Sequence, residues 1–160
     1  MRLSKEDQIV VHLHQLSDVP LRMSGSLSGE VFGIKEADRL TMDSPLNYNL
    51  TAQLISDDQL LVQGKASTEA DCFCDRCGKP FVYELVCDDI CHYVEEVHQE
   101  DIDLTDEIRE ELVLALPAKF LCQDDCAGIC PSCNKNLNDH ACDCEAPASA
   151  PSVWDKLDEL

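Results

Sequence analysis

Positive charge is scarce in this chain. Twelve Lys and Arg stand against 32 Asp and Glu, for a formal net charge of −20. The deficit falls late: residues 81–160 hold 20 acids and 4 bases, residues 1–80 hold 12 and 8. Such a second half repels phosphate, so nucleic-acid binding by it runs against the usual electrostatic rule. A basic protein partner suits it better, and a merely solubilising acidic surface also explains the charge. Long apolar runs are missing too. No stretch approaches the roughly 20 residues of a membrane-spanning helix. His12 and His14 interrupt Ile9-Val10-Val11, which leaves no signal-peptide core. These absences predict a cytoplasmic protein with no membrane partner. There is no phosphate-binding glycine loop, no His-Glu-x-x-His and no nucleophile–base signature. No catalytic residue is assigned, and the chain reads as no enzyme.

Apolar residues make up 44% of the 160, the share of a folded domain with a modest core. Leu46, Tyr48, Leu50, Ala52 and Leu54 alternate with polar residues over 46–56, which predicts a half-buried strand. Asp57-Asp58 reads as a turn. Leu60, Val62, Gly64, Ala66 and Thr68 form one face of a returning strand that runs into Cys72. Phe81, Tyr83, Leu85 and Cys87 open a third strand. Residues 1–35 read as a β region whose turns are marked by Gly25, Gly29 and Gly33. Residues 95–104 read as a loop. A helix is expected over 105–116, capped by Thr105 or Asp103, with Ile108, Leu112 and Ala115 as its apolar stripe. Leu104 and Leu116 flank that stripe, and Pro117 ends the helix. The fold class is therefore α+β: mainly antiparallel β-sheet with one packed helix and a C-terminal cysteine-rich zinc lobe. The boundaries are 1–121 for the β-rich domain, 122–144 for the zinc-binding segment, and 145–160 for a Pro/Ala/Ser linker and apolar tail. Trp154, Leu157 and Leu160 fall three apart in that tail, and a helical turn would fold them back on the protein's own sheet.

Cysteine is in excess, at 11 residues. An odd count without a secretion signal fits thiolate–metal ligation better than a disulfide framework. Eight fall in close pairs: Cys74/Cys77, Cys122/Cys126, Cys130/Cys133 and Cys142/Cys144. Zn²⁺ takes four tetrahedral ligands, and a tight turn lets neighbouring sulfurs converge on one ion. Four pairs supply two Cys₄ sites, so two Zn²⁺ are expected. Gly78 and Asn134, just after two of the pairs, suit the left-handed backbone such turns need, and Pro131 fixes φ inside the second. The preferred grouping joins Cys74 and Cys77 to Cys122 and Cys126, and Cys130 and Cys133 to Cys142 and Cys144. A rival puts Cys122, Cys126, Cys130 and Cys133 on one ion, and His140 could replace Cys142 or Cys144. Complete thiolate sets leave no open position, which favours structural over catalytic metal. Cys87 reads as a small buried packing residue; Cys72 and Cys91 could be spare ligands, with packing the favoured reading, and His12, His14, His92 and His98 read as ordinary surface or strand residues. A Cys-x-x-Cys can also be a redox site, but no βαβ unit surrounds this one.

The motifs resemble the YceD family, proteins needed for accumulation of large-subunit ribosomal RNA. The resemblance rests on Cys74-Asp75-Arg76-Cys77-Gly78-Lys79-Pro80-Phe81, Leu114-Ala115-Leu116-Pro117, Leu121-Cys122, Asp125 through Cys133, Leu137-Asn138 and Cys142-Asp143-Cys144. It spans residues 72–160; residues 1–71 match only in strand character. Asn134 stands where the family commonly has Gly. Some family members lack the second knuckle, which implies that the first site is the shared one. The resemblance implies an accessory factor in large ribosomal subunit biogenesis. Its partner would be a basic ribosomal protein or a large-subunit assembly intermediate, with weak or indirect rRNA contact. Two alternatives remain. One is a direct RNA-binding module using a small basic spot at Arg76 and Lys79, with Lys65, Arg22, Lys35 and Arg39. The other is a thiol redox protein.

Overall fold

The computed structural model describes residues 8–34, 40–95, 97 and 100–144. Lys35, Arg39, His98 and the whole of 145–160, including Trp154, Leu157 and Leu160, lie outside the described residues. The elements run β1 (Val10–His12), β2 (Leu21–Leu27), β3 (Leu40–Thr41), β4 (Leu46–Ser56), β5 (Gln59–Phe73), β6 (Pro80–Val94), β7 (Asp101–Asp103) and α1 (Thr105–Leu114). The protein is mainly antiparallel sheet with one helix and a C-terminal cysteine cluster region.

Alternation builds the main sheet. In β4, Leu46, Leu50 and Ala52 are buried while Asn47 and Asn49 are exposed, the period-two pattern of a strand with one dry face. Asp57 and Asp58 make the turn into β5. That long strand is the hub. β4 and the short β3 pair along one side of it, β6 runs along the other, and β2 pairs the outer side of β4. Leu60, Val62, Ala66, Ala70, Leu85, Cys87 and Ile90 point to one core. The helix lies over this face against β6 and β5, burying Leu104, Thr105, Ile108 and Leu112.

A bulge resets the phase of β6. Gly64 pairs with Ile90 and Ala66 with Cys87, so Asp88 and Asp89 oppose Lys65 alone. Leu85 and Cys87 point inward before it, Ile90 after it. Cys91 consequently faces out and is exposed, which corrects its reading as a packing residue. Cys72 and Cys87 are buried. Gly64 serves the same place from the other strand: a Cβ there would sit 2.2 Å from the Asn49 carbonyl oxygen.

Other expectations need correction. Residues 101–103 are not loop but β7, with Ile102 opposite Val11 in β1. Backbone pairing makes this strand, and three residues are too short to show alternation. Gly25 lies within β2, not at a turn; the Tyr48 ring fills the space a side chain would need. The helix stops at Leu114 and leaves Ala115 exposed. Pro117 disfavours helical backbone at Leu116, and the last turn tightens as the Leu116 N–H donates to the Val113 carbonyl at 3.3 Å. At its start, Asp103 accepts from the Thr105 N–H at 2.9 Å. The Ile9 N–H donates to Thr105 Oγ1 at 2.8 Å, and the Leu104 N–H donates to the Ile9 carbonyl at 2.8 Å. The helix start is thereby tied to the small β1–β7 sheet. Among the described residues, no helix is long and apolar enough to cross a membrane.

The close approach at Gly64 generates a prediction. Gly64→Ala should destabilise the protein by about 1–3 kcal/mol, the usual cost of forcing atoms into a filled space, read as a lower chemical-denaturation midpoint.

Candidate metal centre

Two turns share one backbone. Between β5 and β6, the Cys74 N–H donates to the Lys79 carbonyl at 2.9 Å, and the Gly78 N–H donates to the Cys74 carbonyl at 2.8 Å. Fifty-six positions on, the Cys130 N–H donates to the Lys135 carbonyl at 2.8 Å, and the Asn134 N–H donates to the Cys130 carbonyl at 2.8 Å. Gly78 has φ +71°, and Asn134, the one non-glycine residue with positive φ among those described, has φ +56°. Each turn brings the sulfurs at its first and fourth positions to one side. Asn is the ordinary substitute for Gly in this conformation because its short polar side chain tolerates it.

The segment after the helix is brought to the first turn by polar contacts. The Asp75 N–H donates to the Phe120 carbonyl at 2.8 Å, and the Phe120 N–H donates to Asp75 Oδ2 at 2.7 Å. The Phe120 ring meets Tyr83 edge-on, centroids 5.6 Å apart. Arg76 Nη1 donates to the Cys126 carbonyl at 3.0 Å. The sulfurs of Cys74, Cys77, Cys122 and Cys126 then lie within 4.8 Å of one another, and so do those of Cys130, Cys133, Cys142 and Cys144. The rival set of Cys122, Cys126, Cys130 and Cys133 is not brought together, and His140 belongs to neither group. Cys72, Cys87 and Cys91 also stand outside both.

Spacing shows what each group can hold. The sulfurs of Cys74 and Cys126 are 3.6 Å apart, and those of Cys77 and Cys122 3.7 Å. In the second group Cys133–Cys142 is 3.5 Å and Cys142–Cys130 3.4 Å. A disulfide needs about 2.05 Å. Four sulfurs at about 2.3 Å from a tetrahedral ion sit about 3.8 Å from each other. Both groups therefore match a cage around a metal ion and could hold one each. The first is the drier, with Cys74 and Cys126 buried; in the second only Cys130 is buried, and Cys133 and Cys144 are exposed.

The thiols are electrostatically uneven. Burial pushes Cys74 up, but the backbone N–H groups of Cys122, Cys77 and Arg76 outweigh it and hold the thiol down at about 6. The N–H groups of Cys133 and Ser132 hold Cys130 down at about 6. Burial, and then the neighbouring sulfurs of Cys77, Cys74 and Cys126, push Cys122 up to about 12. The sulfurs of Cys142 and Cys133 push Cys144 up to about 12. Cys77 ends raised because burial and the Cys74 sulfur outweigh the Lys79 N–H. Cys142 ends raised because the Cys130 and Cys133 sulfurs outweigh the pull of Cys144. Each group thus has one thiolate ready near neutral pH, and that charge opposes the next ionisation. A dication removes the opposition.

Sequence reasoning missed the polar residues that orient the ligands. Asn138 Nδ2 donates to Cys126 Sγ at 3.3 Å, and its Oδ1 accepts from the Ala127 N–H at 2.8 Å. Its neighbour Leu137 donates its N–H to the Gly128 carbonyl at 2.9 Å. Asn138 belongs to the loop between Cys133 and Cys142 yet holds a sulfur of the first group, so it bridges the two. Its one signal in the sequence was its place in the YceD-like motif.

A family model described as large ribosomal RNA subunit accumulation protein YceD matches residues 88–160. Over these residues the chain is similar to the YceD family. The matched part contains α1, six of the eight clustered cysteines and Asn138; Cys74 and Cys77 precede it. The structure, not the match, brings that pair to Cys122 and Cys126. No curated protein and no solved structure matches the chain.

Metal binding at pH 7 should expel at least two protons per ion, because Cys77 and Cys122 in one group, and Cys142 and Cys144 in the other, hold theirs until an ion arrives. Affinity should fall as pH falls, most steeply once Cys74 and Cys130 protonate below about 6. Calorimetric titration in buffers of different ionisation enthalpy counts the protons, and release of fewer than two per ion would contradict this. In the same titration Asn138→Ala should weaken the first site about 10- to 100-fold, while Cys87→Ala should retain full metal content.

Proposed function

We propose that the protein is a non-enzymatic accessory factor of large ribosomal subunit biogenesis, acting in the cytoplasm and held in shape by two structural Zn²⁺. Cys74, Cys77, Cys122 and Cys126 would bind the first ion, and Cys130, Cys133, Cys142 and Cys144 the second. The YceD match ties the chain to accumulation of large-subunit rRNA. The observation that carries the metal role is the convergence of sulfurs 45 and 52 residues apart at tetrahedral spacing. Between residues 115 and 144 only Cys126, Gly128 and Cys130 are buried among the described residues. A lobe with so little apolar core needs another source of folding energy, and structural zinc supplies it. Four thiolates per ion leave no open position for substrate.

The partner would be a basic ribosomal protein or an assembly intermediate reached through its proteins. Direct RNA binding by the spot at Arg76 and Lys79 has less support, because the Arg76 guanidinium is engaged with the Cys126 carbonyl. Non-specific RNA affinity grows with the number of phosphates neutralised, and 12 bases among 32 acids neutralise few.

Elemental analysis of natively purified protein should find close to two zinc ions per chain, and depletion in cells should lower mature large-subunit rRNA. Naked rRNA should bind weakly at physiological ionic strength, where the screening length is about 8 Å. A folded sample without zinc would remove the metal role. Tight, saturable binding of naked rRNA would favour direct recognition instead.

A further inference from the structure

The face of the main sheet turned away from α1 is uncovered among the described residues. It holds three shallow depressions of ≈ 290, 330 and 560 Å³. Asn47, Ser67 and Glu84 are shared by the first two, and Asn49 and Lys65 by the first and third, so they form one trough across β4, β5 and β6.

Val86, Glu69, Glu84, Asp88 and Asp89 line the trough, and the sheet face that continues from it is both apolar and acidic. Phe73, Val82 and Val86 are 51%, 58% and 50% exposed. Glu69 and Glu84 stand directly opposite each other on β5 and β6. Asp71 follows on the same face, and Asp88 and Asp89 occupy the bulge. Lys65 lines the trough among them, and Arg22 lies two strands from β5, on β2. Among the described residues no ion pair engages any of these five carboxylates. Like charges directly opposite each other weaken a sheet, so the isolated fold gains nothing from Glu69 facing Glu84.

Charge selects the occupant. Residues 145–160 carry four acids and one base, which opposes the tail's folding back on this face. A second copy would present the same acids, and RNA would present phosphate. A basic polypeptide is the one occupant attracted. Along β6, Val82, Glu84 and Val86 repeat about every 7 Å, the two-residue spacing of extended chain.

We propose that this trough docks an extended Lys/Arg-rich segment of a partner protein. Its basic side chains bridge Glu69 and Glu84, and its apolar side chains cover Phe73, Val82 and Val86. This deepens the accessory-factor reading and rests on its basic partner.

The test uses the metal-loaded full chain and a short synthetic peptide alternating lysine and valine, with a glutamate–valine peptide as control. In two-dimensional amide NMR, the lysine peptide should shift residues around 67–71 and 82–88, and the glutamate peptide should shift none. The Glu69→Gln/Glu84→Gln double variant should keep both metal equivalents, melt higher than the parent, and bind the lysine peptide at least tenfold more weakly. Shifts confined to α1 or the cysteine turns, or affinity within twofold of the parent in the double variant, would overturn the proposal. So would displacement of the Trp154 indole resonance, which would show the chain's own tail in the trough. In depleted cells, rescue of large-subunit rRNA by the double variant would remove the trough and leave the accessory role standing. Failure of the parent chain to rescue would remove the accessory role itself.

Discussion

The convergence of the Cys74, Cys77, Cys122 and Cys126 sulfurs is the constraint on which the C-terminal part of the molecule depends. The sheet and helix have a continuous apolar core that includes Leu50, Leu60, Leu85, Ile108 and Leu112. The residues after the helix have no such core. Their placement relies on Asp75 and Phe120, on Arg76 reaching the Cys126 carbonyl, and on four sulfurs at cage spacing. The hydrogen bonds alone contribute about 1 kcal/mol each, too little to order some thirty residues against their conformational entropy. An ion held by those four thiolates would contribute an order of magnitude more, enough for the cysteines to decide the shape of this region.

The bulge at Asp88 and Asp89 plays the corresponding role in the sheet. It lets β6 bury Leu85 and Cys87 on one side of the irregularity and Ile90 on the other. The helix can then sit on an unbroken apolar floor, while the opposite face collects carboxylates and is uncovered among the described residues. One inserted residue therefore shifts the alternation of β6 so that Leu85, Cys87 and Ile90 all serve the packed face.

The sequence made legible what simple periods encode. Strands β4, β5 and the start of β6 follow two-residue alternation, and the Asp57-Asp58 turn is local chemistry. The cysteine pairs pointed to ligand chemistry because six thiols within residues 122–144 are too many for packing in a stretch with so few other apolar residues. Gly78 and Asn134 were readable for the same local reason. What was hidden depends on long-range geometry. β7 exists only through its partner β1, the outward turn of Cys91 follows from a bulge no alternation reveals, and the exposure of Ala115 follows from the way the chain leaves the helix. Asn138 looks like any loop asparagine until the fold sets its amide against Cys126 Sγ.

The two cysteine groups differ in how much chain they enclose, and this gives them different histories during synthesis. Cys130 and Cys142 are 12 residues apart, so their group can gather metal from a flexible chain as soon as Cys144 has left the ribosome. Cys77 and Cys122 are 45 apart, with β6, β7 and α1 between them. Closing so long a loop costs more entropy, and the intervening strands and helix must be in place before the sulfurs meet. An ion in the local group would therefore report only that synthesis has passed Cys144. An ion in the remote group would report that the sheet and helix between its ligands are already assembled.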